Sequence, residues 1–500
     1  MTVDTRSTIA GEIPCYAVVG KVNMGKSAVL ATLLEEDDDR IIRISPEPGE
    51  TTRCQPLSLV LDGVERLRFI DTPGFQRPIA AMRAIEALHG HTGTTPDHNT
   101  LRRFVREYRA EFGDECRLLE PLLEGAGVVY VIDPSVPLYD SFRAEIEILR
   151  WTGQPRLALL NSKSGSAESA YADAWRTHLG TAFNLVRSFN AHEARFASRR
   201  QLLVALNQIE ETHQRNLDAT LALMDSEWLQ RREQAAEAII DCLAQAMSWR
   251  ESGSYRDHGV DREATDMARA QALERLGQRY FEHITGLERD CSQTLLSLYR
   301  HQALQAQPWT QLAAMLGPEL DLAQKETWRR LGLSRKQLTT VGATAGASAG
   351  LGVDVATLGH TLGLATLAGG LSGGALAFFK GNALPVLALD IGGVSVGGGR
   401  QLTLGPPRNP NFGWILLDSL LLRYHAILTH THGRRDQSEL QAPQSATASN
   451  RVAGLPRERQ KTLARWFSDC RKGRSTDDQA AVFAALTTTL AEIEQQLDSP

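Results

Sequence analysis

The chain has 500 residues, 42% hydrophobic and 23% charged, which excludes a disordered or low-complexity protein and predicts more than one core. A net charge of −5 and a pI near 6.3 argue against a chain built chiefly to bind nucleic acid. Six scattered cysteines (Cys15, Cys54, Cys116, Cys242, Cys291, Cys470) form no Cys-x-x-Cys pair, as expected of reduced thiols in a cytoplasmic chain, and the first residues lack the basic start and apolar run of a signal peptide.

In chain order, "CYAVVG" is a short apolar run suited to a buried strand, and "KSAVLATLLEE" has helical spacing. Between them Gly20, Gly25, Lys26 and Ser27 complete G-x-x-x-x-G-K-S in the strand-to-helix setting of a phosphate loop. Glycines let backbone amides curl around phosphates, so Gly20, Lys21, Val22, Asn23, Met24, Gly25, Lys26, Ser27 and Ala28 are the expected nucleotide-binding loop. Lys26 is expected to reach the β- and γ-phosphates, and Ser27 to offer its hydroxyl to Mg²⁺.

The polar stretch "PEPGETTRC" follows, offering Thr51 and Thr52. Thr52, directly before Arg53, is the expected hydroxyl that closes over Mg²⁺ when triphosphate is bound. "RLRFIDTPGF" is an apolar strand ending in Asp71-Thr72-Pro73-Gly74. The Asp71 carboxylate can hold Mg²⁺ through water, and the Gly74 amide can reach a γ-phosphate.

Together these three motifs resemble the TrmE–Era–EngA branch of translation-factor-class GTPases, in which the same order and a "TTR" switch recur. The resemblance covers roughly the first 190 residues and implies an α/β P-loop domain that binds and hydrolyses GTP, with Lys26, Thr52 and Asn23 as its catalytic group. In that branch an asparagine at the position of Asn23 helps to hold K⁺ beside the phosphates. A monovalent cation there would neutralise charge that an arginine finger neutralises elsewhere. Phe75, where Ras-like proteins keep a water-orienting glutamine, cannot orient water. An asparagine that merely closes the turn is the competing reading.

Base selection is less regular. The guanine pattern Asn-Lys-x-Asp reads here as Asn161-Ser162-Lys163-Ser164 after the strand "RLALL". Asn161 is in place, Lys163 is displaced by one, and the aspartate is missing. The closing loop after "NLVRSF" offers backbone around Asn190 and Ala191. Phosphate binding is therefore expected from the residues and guanine preference from the resemblance, with ATP or relaxed specificity left open.

An insert at about 76–120 separates the second switch from the strand in "GAGVVYVIDPS". It has two helical stretches around a polar loop with His89, His91 and His98, whose spacing matches no standard metal site. Its position just after the second switch suits an element that reports nucleotide state. The GTPase domain is expected over 1–192 and a long-helix region over 193–338, where "ESGSYRDHG" reads as the turn between two long antiparallel helices.

A Gly/Ala-rich apolar hairpin, a β-hairpin and an apolar helix are expected over 339–432, a polar linker over 433–455, and terminal helices over 456–500. Within 341–379, Gly342, Gly346 and Gly350 recur every four residues, as do Gly359 and Gly363, which places them on one helix face as in a glycine zipper. Only Asp354 is charged there, and His360 is the other ionisable group. Contact with membrane lipid or a membrane protein, and a soluble glycine-packed hairpin, both fit this composition. The Era-like domain with long helices and this hairpin also resembles a little-characterised group of bacterial GTPases whose C-terminal domain has no assigned function.

Two functions stay in view. One is a GTP-binding switch with Mg²⁺ on Ser27, Thr52 and Asp71 and K⁺ on Asn23, driving a helical region at the cytoplasmic side of the inner membrane, peripherally or integrally. The other is a soluble GTPase of RNA or ribosome maturation, for which no basic RNA module stands out, so nucleic acid is not the expected partner. A slow-turnover nucleotide-gated scaffold is the further alternative, and a homodimer across the switch loops is compatible with K⁺-assisted relatives.

Overall fold

The computed structural model describes residues 13–38, 41–42, 54–90, 94–162, 171–316, 387–394, 399–407, 411–433, 451–474 and 478–498. Thr51, Thr52, Lys163 and the glycine-rich run 341–379 lie outside the described residues. The chain forms two compact units. One comprises residues up to Gln230 with Arg300–Ala303 and Thr429–Gln437, and the other comprises Arg231–Tyr299, Leu304–Leu428 and Ser438–Pro500.

The first unit is a sheet of order β2-β3-β1-β4-β5-β6 flanked by helices. Its strands are β1 (Cys15–Val19), β2 (Gln55–Leu61), β3 (Val64–Asp71), β4 (Gly127–Ile132), β5 (Arg156–Asn161) and β6 (Leu185–Phe189). The helices are α1 (Lys26–Leu34), α2 (Pro78–His89), α3 (His98–Glu107), α4 (Gly113–Leu123), α5 (Asp140–Trp151), α6 (Ala172–Gly180) and α7 (Phe196–Ile209). The element α8 (Gln214–Ser248) begins in this unit and continues into the second.

Strand character follows position in the sheet. Every residue of β4 is buried, as a parallel strand covered on both faces requires. β2 alternates between exposed and buried residues and pairs antiparallel with β3 at the sheet edge. Its turn, Asp62-Gly63, has both residues at positive φ (53° and 71°), the backbone that an Asp-Gly hairpin adopts. Because β1 lies between β3 and β4, and all three run parallel, their C-terminal loops open on one edge of the sheet. Among the described residues, that edge carries every phosphate-binding residue expected from the sequence.

The second unit holds the rest of α8 with α9 (Arg262–Leu298), α11 (Trp309–Leu316), α12 (Phe412–Thr429), α13 (Arg457–Lys472) and α14 (Gln479–Asp498); the one-turn α10 (Gln302–Gln305) precedes α11. A second sheet, in the order β7-β9-β8, is built from β7 (Glu251–Arg256), β8 (Leu387–Val394) and β9 (Gly399–Pro407). Here the structure corrects the sequence expectation. "ESGSYR" is a strand, not part of a turn. Its extended form is stabilised by pairing with β9 from a remote part of the chain, and Gly253 lets Leu276 of α9 approach it closely.

α12 is buried almost all round. Its two internal charges are answered inside the unit. Arg423 Nε donates to Glu288 (3.0 Å), which also accepts from Ser419 (2.5 Å), and the Asp418 carboxylate accepts from the Val452 amide (3.3 Å). Tyr424 donates to Glu494 of α14 (2.6 Å), which Arg232 also contacts (2.7 Å). Among the described residues no helix is long and apolar enough to cross a membrane.

Candidate nucleotide site

The phosphate loop leaves β1 and enters α1 through Gly25, which caps the helix at a φ of 88°. Only glycine fits there, because a Cβ would stand 2.2 Å from the Asn161 amide nitrogen. Lys26, the first helical residue, is buried and curls back over the loop, donating to the carbonyls of Gly20 (3.1 Å) and Lys21 (3.2 Å). Burial pulls its ammonium below the ordinary lysine range, opposed by the carboxylates of Asp71 and Glu145. A buried cation held against a glycine-containing loop is the arrangement expected of a phosphate-binding lysine.

Asn23 is exposed and holds φ at 65°, in the left-handed region that asparagine tolerates better than other side-chain-bearing residues. It therefore has a backbone reason to be asparagine that is independent of any cation. Lys21 turns away from the loop mouth. Its Nζ bonds Ser141 (2.5 Å), sits 4.0 Å from the centre of the Phe142 ring and 3.8 Å from Glu145. The loop thus offers Lys21 through its backbone, while its side chain anchors the loop to α5.

Glu145 itself was not legible as a site residue. It is fully buried and accepts a hydrogen bond from Tyr130 of β4 at 2.8 Å. Burial pushes its carboxyl up to about 7, partly opposed by the Tyr130 hydroxyl and by Lys21 and Lys26.

Asp71 ends β3 in register with Val18 of β1, and Thr72 donates to the Val18 carbonyl at 2.8 Å. Gly74 packs directly on the phosphate loop, where a Cβ would be 3.0 Å from the Gly20 carbonyl and 3.1 Å from the Val22 amide. Phe75 is buried in the core and offers no polar group to water. The next two amides, of Gln76 and Arg77, both donate to Glu115 of α4 (3.0 and 2.6 Å). That buried carboxylate, unanticipated from the sequence, ties α4 to the start of the insert, directly after the second switch.

At the far side, Asn161 is completely buried and joins two loops. Its Nδ2 donates to the Met24 carbonyl (3.2 Å), and its Oδ1 accepts from the Ala191 amide (3.1 Å). Thr32 of α1 donates to the Ala191 carbonyl (3.0 Å). The loop expected to face the base is thus tied to the loop expected to hold phosphate.

His89, expected in a solvated loop, bonds Thr100 and Thr94 through its two ring nitrogens (both 3.0 Å). No group of three or more His, Cys, Asp or Glu among the described residues is placed to hold a metal ion.

Residues 176–491 match the family model "Domain of unknown function (DUF3482)". The chain belongs to the DUF3482 family. In this DUF3482 protein, residues 15–161 match the family model of 50S ribosome-binding GTPases. The N-terminal domain is accordingly a P-loop GTPase domain, followed by a domain of unknown function. A solved structure of Era, in complex with MgGDPNP and nucleotides 1506–1542 of 16S ribosomal RNA, is similar at 16% identity. It covers 49% of this chain and 74% of that chain with a TM-score of 0.28.

Proposed function

We propose that this protein is a cation-assisted GTP switch whose hydrolysis cycle sets the state of the DUF3482 region. The observation that carries this reading is the assembly of four loops on one sheet edge. Lys26 clamps the phosphate loop, Gly74 rests on it, and Asn161 bridges it to Ala191.

The residues present suit Mg²⁺, a hard cation that prefers oxygen donors. Ser27 is the second residue of α1 and Asp71 ends β3, and both would hold the ion, with Thr52 as the third oxygen from the first switch. When bound, Mg²⁺ neutralises charge on the β- and γ-phosphates. Lys26 binds and orients the same phosphates, and the Gly74 amide reads the γ-phosphate. Since Phe75 cannot position water, K⁺ held by Asn23 is the proposed further source of positive charge. Asn161 with Ala191 and Lys163 frames the base.

Turnover of GTP and ATP, compared in KCl and in NaCl, tests this. Faster GTP turnover in KCl that disappears in Asn23→Ala supports cation assistance. Equal rates in both salts reduce Asn23 to a turn residue.

A second reading is favoured by the match to ribosome-binding GTPases. It sets aside the expectation that nucleic acid is not a partner, which the comparisons do not support. Co-sedimentation with ribosomal particles in the GTP-bound state would support it. Membrane contact through 341–379 and a homodimer are supported by composition and resemblance alone. Flotation with anionic liposomes tests the first, and light scattering in each nucleotide state tests the second.

A further inference from the structure

The loop after β6 is held by more than the GTPase motifs. Residues 429–433, which continue directly from α12, lie in the nucleotide-binding unit. Thr431 is buried and donates to the His192 carbonyl at 2.9 Å. Gly433 presses its backbone into the corner between that loop and α1. A Cβ there would stand 2.6 Å from the Ala191 carbonyl, 2.6 Å from the Thr32 hydroxyl and 3.0 Å from the Ala28 carbonyl. Two of those groups are backbone oxygens, which cannot swing aside.

The Ala191-His192 backbone is therefore fixed from three directions. Asn161 takes the Ala191 amide, Thr32 holds the Ala191 carbonyl, and Thr431 holds the His192 carbonyl. The first two ties come from within residues 15–161, the part matched to GTPases. The third comes from the C-terminal region.

We propose that Thr431 and Gly433, just after α12, are positioning residues for the base loop, forming a strap that sets how tightly nucleotide is held. The proposal rests on the reading of the N-terminal domain as a nucleotide-binding GTPase. It also bears on the irregular Asn161-Ser162-Lys163-Ser164 stretch. With the usual aspartate missing, the backbone of the base loop carries a larger share of base binding, and the strap fixes that backbone. Release of the strap would loosen nucleotide without touching the phosphate loop.

The test is the dissociation rate of a fluorescent GDP from the full-length protein with Mg²⁺. Thr431→Val removes the hydrogen bond and keeps the shape, so dissociation should quicken about fivefold to tenfold, the equivalent of one buried hydrogen bond. Thr431→Ser should restore the wild-type rate. Gly433→Ala forces a methyl against two carbonyls and should quicken dissociation further. For GTP turnover, the change should fall on KM more than on kcat, which a general loss of stability would not produce. Melting of the nucleotide-free variants confirms folding. If Gly433→Ala does not fold, the threonine pair decides alone. Wild-type dissociation rates in folded Thr431→Val overturn the strap while leaving the GTPase reading intact. Failure of the wild-type protein to bind GDP overturns that reading and the strap with it.

Discussion

Replacing Glu145 by glutamine probes the electrostatics beneath the phosphate loop. The carboxyl is fully buried, and its pKa is pushed from 4.5 in the unfolded chain up to about 7. The folded protein therefore keeps a proton that the unfolded chain releases across that interval. A raised folded pKa contributes stability that is complete below pH 4.5 and is lost as pH rises through 7. At about 1.4 kcal/mol for each pH unit, the window corresponds to about 3 kcal/mol. A glutamine side chain would be neutral in both states and still accept from Tyr130, so Glu145→Gln removes this dependence. Urea unfolding of the nucleotide-free protein should show the variant gaining on wild type by about 3 kcal/mol as pH rises through the window. A stability difference that stays constant across the window would refute the burial argument.

Asn161→Ala strips partners from the Met24 carbonyl and the Ala191 amide. At about 1–3 kcal/mol for each orphaned group, GDP affinity by fluorescence titration should fall at least about tenfold, and an unchanged Kd would contradict the bridging role. In the second unit, Glu288→Ala leaves the Arg423 guanidinium buried without its carboxylate. Denaturant unfolding should show a loss of about 3–5 kcal/mol for that unit, whereas a near-neutral result would mean that the pair contributes little. Gly74→Ala places a methyl against the phosphate-loop backbone, so it should weaken GTP binding more than GDP binding. Equal effects on both nucleotides would remove Gly74 from γ-phosphate sensing.

Local pattern and long-range pairing account for what the sequence could reveal. The β1 run, the Gly25-Lys26-Ser27 turn and the start of α1 are contiguous, so their geometry follows from neighbours a few residues apart. Asp71 and Asn161 were legible for the same reason, each ending an apolar strand. The hairpin of β2 and β3 is marked by its Asp62-Gly63 pair, both at positive φ. β7 gave almost no signal, because "ESGSYR" becomes a strand only through its partner β9. Glu115, Glu145 and Thr431 are ordinary residues on helices or loops. Their roles arise from tertiary placement against Gln76, Lys21 and His192, which no periodicity encodes. Likewise, the apolar reading of α12 could not reveal that Arg423 Nε pairs with Glu288 and that Asp418 accepts from the Val452 amide inside the unit.

The most direct test of the central claim is steady-state nucleotide turnover by the purified protein with Mg²⁺, comparing wild type with Lys26→Ala. The account predicts GTP hydrolysis by wild type, in preference to ATP, and its loss when the buried ammonium that clamps the phosphate loop is removed. Equal hydrolysis by Lys26→Ala, or nucleotide binding by neither protein, would contradict it.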